Sequence, residues 1–102
     1  MSKRTIVHTD AAPAAIGPYS QAVAAGGFVF TAGQIPLDPA TMEVVEGDVE
    51  VQTVQVLENL GAVLSEAGCA YGDVVRCDVF VADLNDFQTV NKVYGRYFGS
   101  GV

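Results

Sequence analysis

Residues 16–36 read IGPYSQAVAAGGFVFTAGQIP, and this stretch decides the fold. Two short runs flank the pair Gly26-Gly27, and a two-residue glycine loop suits a tight hairpin because glycine adopts positive φ without a Cβ clash. On both sides of the pair the side chains alternate with the two-residue period of a strand. The sequence therefore predicts a β-hairpin, with residues 20–25 as one strand and residues 28–32 as the other.

A stiff turn and a bare glycine lie at the end of this hairpin that is remote from its loop. The pair Gly17-Pro18 places Tyr19 just outside the turn, and Gly33 leaves its backbone amide without a covering side chain. The hairpin brings Tyr19 and Gly33 near the same end, and a phenol beside an uncovered N–H suits a small anionic ligand. The alternative interpretation is that Tyr19 fills the end of the hairpin, because half-buried tyrosines are common.

Length and composition predict one domain, residues 1–102. A chain of 102 residues, 50% of them hydrophobic, has room for one modest core. No apolar run approaches the roughly 20 residues of a membrane helix, and no apolar stretch follows the N-terminus as in a secretory signal. We therefore expect a cytoplasmic protein without a membrane partner, and we attribute the apolar excess to a buried subunit interface.

Charge and cysteine content disfavour nucleic-acid and metal partners. Twelve acidic residues against 5 basic ones give a net charge of −7, and the basic residues are scattered, whereas phosphate binding needs a cluster. Cys69 and Cys77 lack the spacing of metal ligands, and we interpret Cys77 as a buried strand residue rather than a reactive thiol. His8, the single histidine, is interpreted as a polar residue at the end of a first strand, residues 5–8.

A first helix is predicted to begin at Asp48 and end at Gly68. Asp48 can cap the helix, Glu50 lies in the first turn where the helix dipole favours negative charge, and Gly68 suits a left-handed cap. Gly61 lies mid-helix at a cost of roughly 1 kcal/mol relative to alanine, which we interpret as allowing close approach to the sheet. The apolar face consists of Val54, Leu57, Leu60, Val63, Leu64 and Ala67.

The clearest strand pattern is Asp73–Val81, and a second helix follows it, capped by Asp83 or Asn85. One face of the strand is wholly apolar and should pack against helices; the other mixes apolar and charged groups, which suits either a subunit interface or a half-solvated face. The inward stripe predicted for the second helix is Phe87, Val90, Asn91, Tyr94, Tyr97 and Phe98. A buried amide such as Asn91 either bonds neighbouring backbone or orders a ligand cleft.

Two separated blocks of sequence resemble the reactive-intermediate deaminase family, the imine and enamine deaminases. Residues 12–23 with 33–36 form the first block, and residues 79–87 with 90–94 form the second. The resemblance implies an α+β, chorismate-mutase-like fold with a single, mostly antiparallel sheet and two helices packed on one face. It also implies a homotrimer whose sheets form a central barrel with ligand clefts between subunits. The alternative architecture is a monomeric α/β sandwich.

The same resemblance implies a function. Family members hydrolyse reactive 2-imino or 2-enamino acids, released by pyridoxal-phosphate enzymes, to 2-keto acids and ammonia without a cofactor or metal. The chain is thus expected to be a 2-iminobutanoate/2-iminopropanoate deaminase if it is complete beyond Val102. The substrate-binding residues that carry over are Tyr19, Gly33 and Asn91, and Ala32 stands where many members have a serine.

The chain also departs from the family pattern. The family's last two strands, with an arginine that clamps the substrate carboxylate and a glutamate that holds the attacking water, would lie beyond Val102. We therefore assign no catalytic residue and expect an incomplete sequence. The alternative function is a non-catalytic ligand-binding or chaperone-like trimer that uses the same cleft, and the gene sequence after codon 102 discriminates between the two.

Overall fold

In the computed structural model, which describes residues 3–99, the hairpin at Gly26-Gly27 is present as predicted. Strands β2 (Ala22–Ala25) and β3 (Phe28–Thr31) pair antiparallel, and the two glycines have φ angles of 60° and 82°, as a tight hairpin turn requires. Strand β1 (Arg4–Val7) pairs antiparallel with β2 on its other side, so the strand order β1-β2-β3 follows the chain.

Helix α1 begins at the cap that the sequence indicates, and α2 does not. Helix α1 is Val49–Glu66; Asp48 accepts a hydrogen bond from the Val51 amide at 3.1 Å, and Gly68 follows the helix with a φ of 78°. Helix α2 is Phe87–Phe98 and is preceded by a 3₁₀ turn, Leu84–Asp86, in which Asp83 accepts from the Asn85 amide at 2.9 Å. Asp83 therefore caps the 3₁₀ turn and not α2, which follows Asp86 without a side-chain capping hydrogen bond, so the prediction that Asp83 or Asn85 caps the second helix is wrong.

The two helices lie on one side of the sheet, and the α+β fold is confirmed. Helix α1 places Val63 against Val7 and Ala22, which point to the same face of the strands. Helix α2 packs on α1 through Val93 and Phe98. The opposite face of the sheet, called here the outer sheet face, consists of Arg4, Ile6, Val23, Ala25, Phe28 and Phe30.

The strand predicted at Asp73–Val81 is wrong within the described residues. Tyr71–Asp73 is a 3₁₀ turn, and residues 74–81 make no β-ladder with any part of the chain between residues 3 and 99. An alternating pattern predicts an extended chain, but a strand also needs hydrogen bonds to a neighbour. As a result Phe80 is 93% exposed and Cys77 is only partly buried.

Gly61 does permit a close approach, but its neighbour is Tyr71 rather than the sheet. The Tyr71 hydroxyl donates a hydrogen bond to the Leu57 carbonyl at 2.5 Å, and a Cβ on Gly61 would overlap that hydroxyl. Edge-to-face contacts with Tyr97 and Phe98, at centroid distances of 5.3 and 5.4 Å, hold the Tyr71 ring in place. A glycine is therefore required where the phenol meets the helix.

Stability is expected to fall as the pH rises from about 10 to about 12. Burial, followed by the charges of Glu58 and Tyr97, raises the pKa of Tyr71 from 10.0 to about 12. Between these values the folded chain keeps a proton that the unfolded chain has released, so unfolding becomes more favourable with pH. Urea unfolding across this range should show the decline, and Tyr71→Phe should reduce its slope. An unchanged slope in Tyr71→Phe would contradict the assignment.

Candidate functional site

Three of the four predicted binding residues lie at the open end of the β2–β3 hairpin. The Ala32 amide donates to the Gln21 carbonyl at 2.9 Å, which continues the pairing one step beyond Ala22 and Thr31. Tyr19 lies two residues before Gln21, and Gly33 directly follows Ala32. Among residues 3–99, no atom outside its chain neighbours lies within 4 Å of the position that a Cβ on Gly33 would take. The open side of Gly33 therefore leaves its backbone approachable.

The Tyr19 side chain is half exposed rather than packed in the core. The residue keeps 52% of its surface accessible. Its ring lies over Gly17, with Cε2 and Cδ2 at 3.0 and 3.2 Å from the position that a Cβ on Gly17 would occupy. The turn at Gly17-Pro18 thus sets the direction of the ring, and the glycine leaves the room for it.

Asn91 does not belong to the buried stripe of α2, contrary to the sequence prediction. Asn91 is exposed, and Val93, which was not predicted, is fully buried at 0% exposure. The helix packs through Val90, Val93 and Phe98, which leaves Asn91 at the border of the packed side. Four members of the predicted stripe do pack: Val90 and Phe98 are buried, and Tyr94 and Tyr97 lie partly buried against the core. The prediction is wrong for Asn91 and for Phe87, which is 54% exposed.

Asn91 nevertheless lines a cavity of about 230 Å³ between α2 and residues 77–81. The other lining residues are Cys77, Val79, Val81, Phe87, Val90 and Tyr94. Burial, with a smaller contribution from the neighbouring Cys77, raises the pKa of Tyr94, so its phenol is neutral and able to donate a hydrogen bond at pH 7. Neither this cavity nor a larger one of about 410 Å³ between β1 and the end of α1 is lined by Tyr19, Ala32 or Gly33. Neither cavity therefore joins Asn91 to the three hairpin residues.

Two buried amides that sequence reasoning missed hold the loops around the hairpin residues. Gln21 is 3% exposed and Asn59 is 1% exposed. The Asn59 amide donates to the carbonyls of Ile35 and Leu37 at 3.4 and 2.9 Å, which fixes the chain just after Gly33. Asn59 lies four residues before the fully buried Val63, so helical spacing was an available signal for it.

Neither a metal centre nor a membrane span is found in the described part of the chain. Residues 3–99 contain no group of three His, Cys, Asp or Glu side chains arranged to hold a metal ion. The helices in this range lack the length and apolar character needed to cross a membrane.

Residues 9–101 match the family described as Endoribonuclease L-PSP, which covers the two blocks of residues quoted above. The chain belongs to this family, the Rid proteins. A RutC family protein of Synechocystis is 62% identical over 94 residues, which are 91% of this chain and 72% of that protein. The 2-iminobutanoate/2-iminopropanoate deaminase of Bos taurus is 48% identical over 97 residues, 95% of this chain and 71% of that enzyme.

The Rid fold is also shown by solved structures. The crystal structure of E. coli TdcF with bound serine superposes with a TM-score of 0.87 at 48% identity. The match covers 92% of this chain and 73% of that one. At this level of identity the hairpin and the two helices described here are the Rid architecture.

Proposed function

We propose that the protein hydrolyses reactive 2-imino and 2-enamino acids as a 2-iminobutanoate/2-iminopropanoate deaminase. The observation that carries the proposal is the 48% identity to the bovine enzyme of that name across 95% of this chain. The reaction adds water to the C=N carbon, and collapse of the adduct releases ammonia and a 2-keto acid. The serine bound to E. coli TdcF supports an α-amino-acid-sized ligand, since serine shares the carboxylate and the adjacent C–N bond with these imines.

The hairpin residues are proposed to bind the substrate. The phenol of Tyr19 and the approachable backbone amide of Gly33 are hydrogen-bond donors of the kind that a carboxylate accepts. Ala32 contributes a methyl group beside them, and Asn91 offers a carboxamide that can both donate and accept. Donors fixed in advance around the carboxylate leave the C=N group oriented for attack by water.

We propose a cytoplasmic homotrimer, in which neighbouring subunits complete the cleft. On the outer sheet face, Ile6, Phe28 and Phe30 remain 60%, 59% and 63% exposed in the single chain. A contiguous apolar surface of this kind is typical of an interface. Neither cavity within the single chain joins Asn91 to the hairpin residues. A cleft between subunits would place Asn91 of one subunit near the hairpin residues of its neighbour. A monomer by sedimentation or light scattering at micromolar concentration would contradict the trimer.

A small-molecule substrate fits the charges better than RNA, although the family description names an endoribonuclease. The net charge is −7. Two of the five basic side chains are already paired: Arg96 with Glu50 at 2.7 Å and Arg76 with Asp78 at 3.2 Å. Phosphate-backbone binding needs several free cations on one surface.

The test is an assay in which threonine dehydratase generates 2-iminobutanoate and the release of 2-ketobutyrate is followed. The full-length protein should accelerate this release at dehydratase concentrations where spontaneous hydrolysis is otherwise limiting. Absence of acceleration would contradict the proposed deaminase activity. If serine or 2-ketobutyrate then bound without turnover, the ligand-binding alternative would replace it.

Tyr19→Phe is expected to lower kcat/KM about tenfold to a hundredfold, the worth of one hydrogen bond to a charged group. Because the ring is half exposed, the free energy of unfolding should change by no more than about 1 kcal/mol. Steady-state kinetics and urea unfolding measure the two effects. Tyr97→Phe, which removes a phenol from the helix core instead, is the matched control and should leave kcat/KM unchanged. Unaltered kinetics in Tyr19→Phe would remove this residue from the site.

A further inference from the structure

The segment that carries Tyr19 has few contacts of its own. Within the described residues, no hydrogen bond joins residues 14–20 to any other part of the chain. Ile16 is 73% exposed, and Gly17, Pro18 and Tyr19 are exposed as well. The position of this segment therefore depends on how its two ends, Pro13 and Gln21, are held.

The Gln21 side chain ties these two ends together. Its Nε2 donates to the Pro13 carbonyl at 2.9 Å and lies 3.3 Å from the Ala12 carbonyl. The same group donates to the Thr9 carbonyl at 3.0 Å, and Oε1 accepts from the Thr9 amide at 2.7 Å. Both Ala12 and Pro13 are buried, so the anchor on the far side is itself fixed.

We propose that Gln21 is a positioning residue that sets Tyr19 relative to Gly33. This inference rests on the proposed function and deepens its account of the binding site. The side chain of Gln21 closes the base of the segment 14–20, while its main-chain carbonyl accepts the Ala32 amide at 2.9 Å. One residue thereby fixes both the segment that carries Tyr19 and the strand that leads into Gly33.

Glutamine is suited to this task because a carboxamide donates and accepts at once. The site presents an amide and three carbonyls, so a methionine of similar length leaves them without partners. Asparagine keeps the amide but is one methylene shorter, so it cannot span the same distance from β2. Without the closure, residues 14–20 regain conformational freedom, and substrate binding has to order them again.

The test compares Gln21→Met and Gln21→Asn with Val93→Ala, a core variant on α2 that loses stability without touching the hairpin. Below the unfolding transition of all variants, both Gln21 variants should raise KM about tenfold or more, with a smaller change in kcat. Val93→Ala, compared at an equal margin below its own transition, should keep the wild-type KM. An equal rise in KM in Val93→Ala would mean that Gln21 acts only through stability, and it would overturn the proposal.

A second arm tests whether Gln21 acts through Tyr19. In a Tyr19→Phe background, Gln21→Asn should raise KM much less than it does in the wild type, because the Tyr19 hydroxyl that Gln21 positions is already absent. If the effects of the two substitutions simply add in the double variant, Gln21 does not act through Tyr19, and the proposal is contradicted.

A third arm does not depend on turnover. Backbone ¹⁵N NMR relaxation should show residues 14–20 to be more mobile in both Gln21 variants than in the wild type and in Val93→Ala. Unchanged mobility of this segment in the Gln21 variants would overturn the proposal. Absence of activity in the wild type would instead refute the proposed function, and the NMR arm would still decide the positioning role.

Discussion

Phe30→Asp is expected to dissociate the proposed trimer into monomers. Phe30 lies on the outer sheet face in the edge strand β3, opposite Val23 and with its ring centroid 6.3 Å from that of Phe28. Closing three such faces around a barrel would bury three carboxylates close together. Each costs several kcal/mol to remove from water, and like charges add repulsion. Light scattering or sedimentation should report a monomer, and deamination should be lost with it if the clefts lie between subunits.

Val44→Asp provides the control for that experiment. Val44 is 56% exposed, lies outside the sheet in the bridged turn opposite Leu37, and receives the same carboxylate. This variant should remain a trimer. If Phe30→Asp also remains a trimer, the outer sheet face is not the subunit interface.

Gly61→Ala is expected to destabilise the protein by about 1–3 kcal/mol, although helix propensity alone favours the change by roughly 1 kcal/mol. The added methyl would overlap the Tyr71 hydroxyl and lies too close to its ring. The ring cannot move freely, because Tyr97 and Phe98 pack against it and its hydroxyl is bonded to the Leu57 carbonyl. Urea unfolding measures the loss.

Two variants make the comparison decisive. Gly95 is also inside a helix, but a Cβ there would meet no atom within 4 Å among the described residues, so Gly95→Ala should stabilise by about 1 kcal/mol. In a Tyr71→Leu background the obstacle is gone, and Gly61→Ala should also become stabilising. If Gly61→Ala has the same sign in both backgrounds, Tyr71 is not the reason for the glycine.

The features that the sequence predicts correctly are those with local causes. The Gly26-Gly27 turn, the Asp48 cap and the Gly68 end each depend on residues within one turn of chain, and all three are confirmed. The proximity of the chain around Tyr19 and Gly33 follows from the hairpin register, although their role in binding stays a prediction.

The predictions that failed depend on partners that are distant in sequence. Residues 74–81 have the alternation of a strand, but a ladder needs a second strand that no pattern within the segment specifies. The burial of Asn91 was misjudged because the direction of a helix stripe depends on what packs against it, and Val93 decides it here. The contact of Tyr71 with Gly61, and the hydrogen bonds from the Gln21 and Asn59 amides to distant carbonyls, can be seen only in the tertiary structure.

The strand order β1-β2-β3 has a consequence for how the chain acquires its structure. Each strand pairs with the next one along the chain, and β2 and β3 are separated only by the glycine turn. Pairing of this kind closes short loops, so it carries a small entropic barrier. The three-stranded sheet and the helix α1 that follows it pack against each other, and both lie within the first two thirds of the sequence. This part can therefore form on the ribosome before α2 has been synthesised, and α2 then has a preformed surface on which to dock.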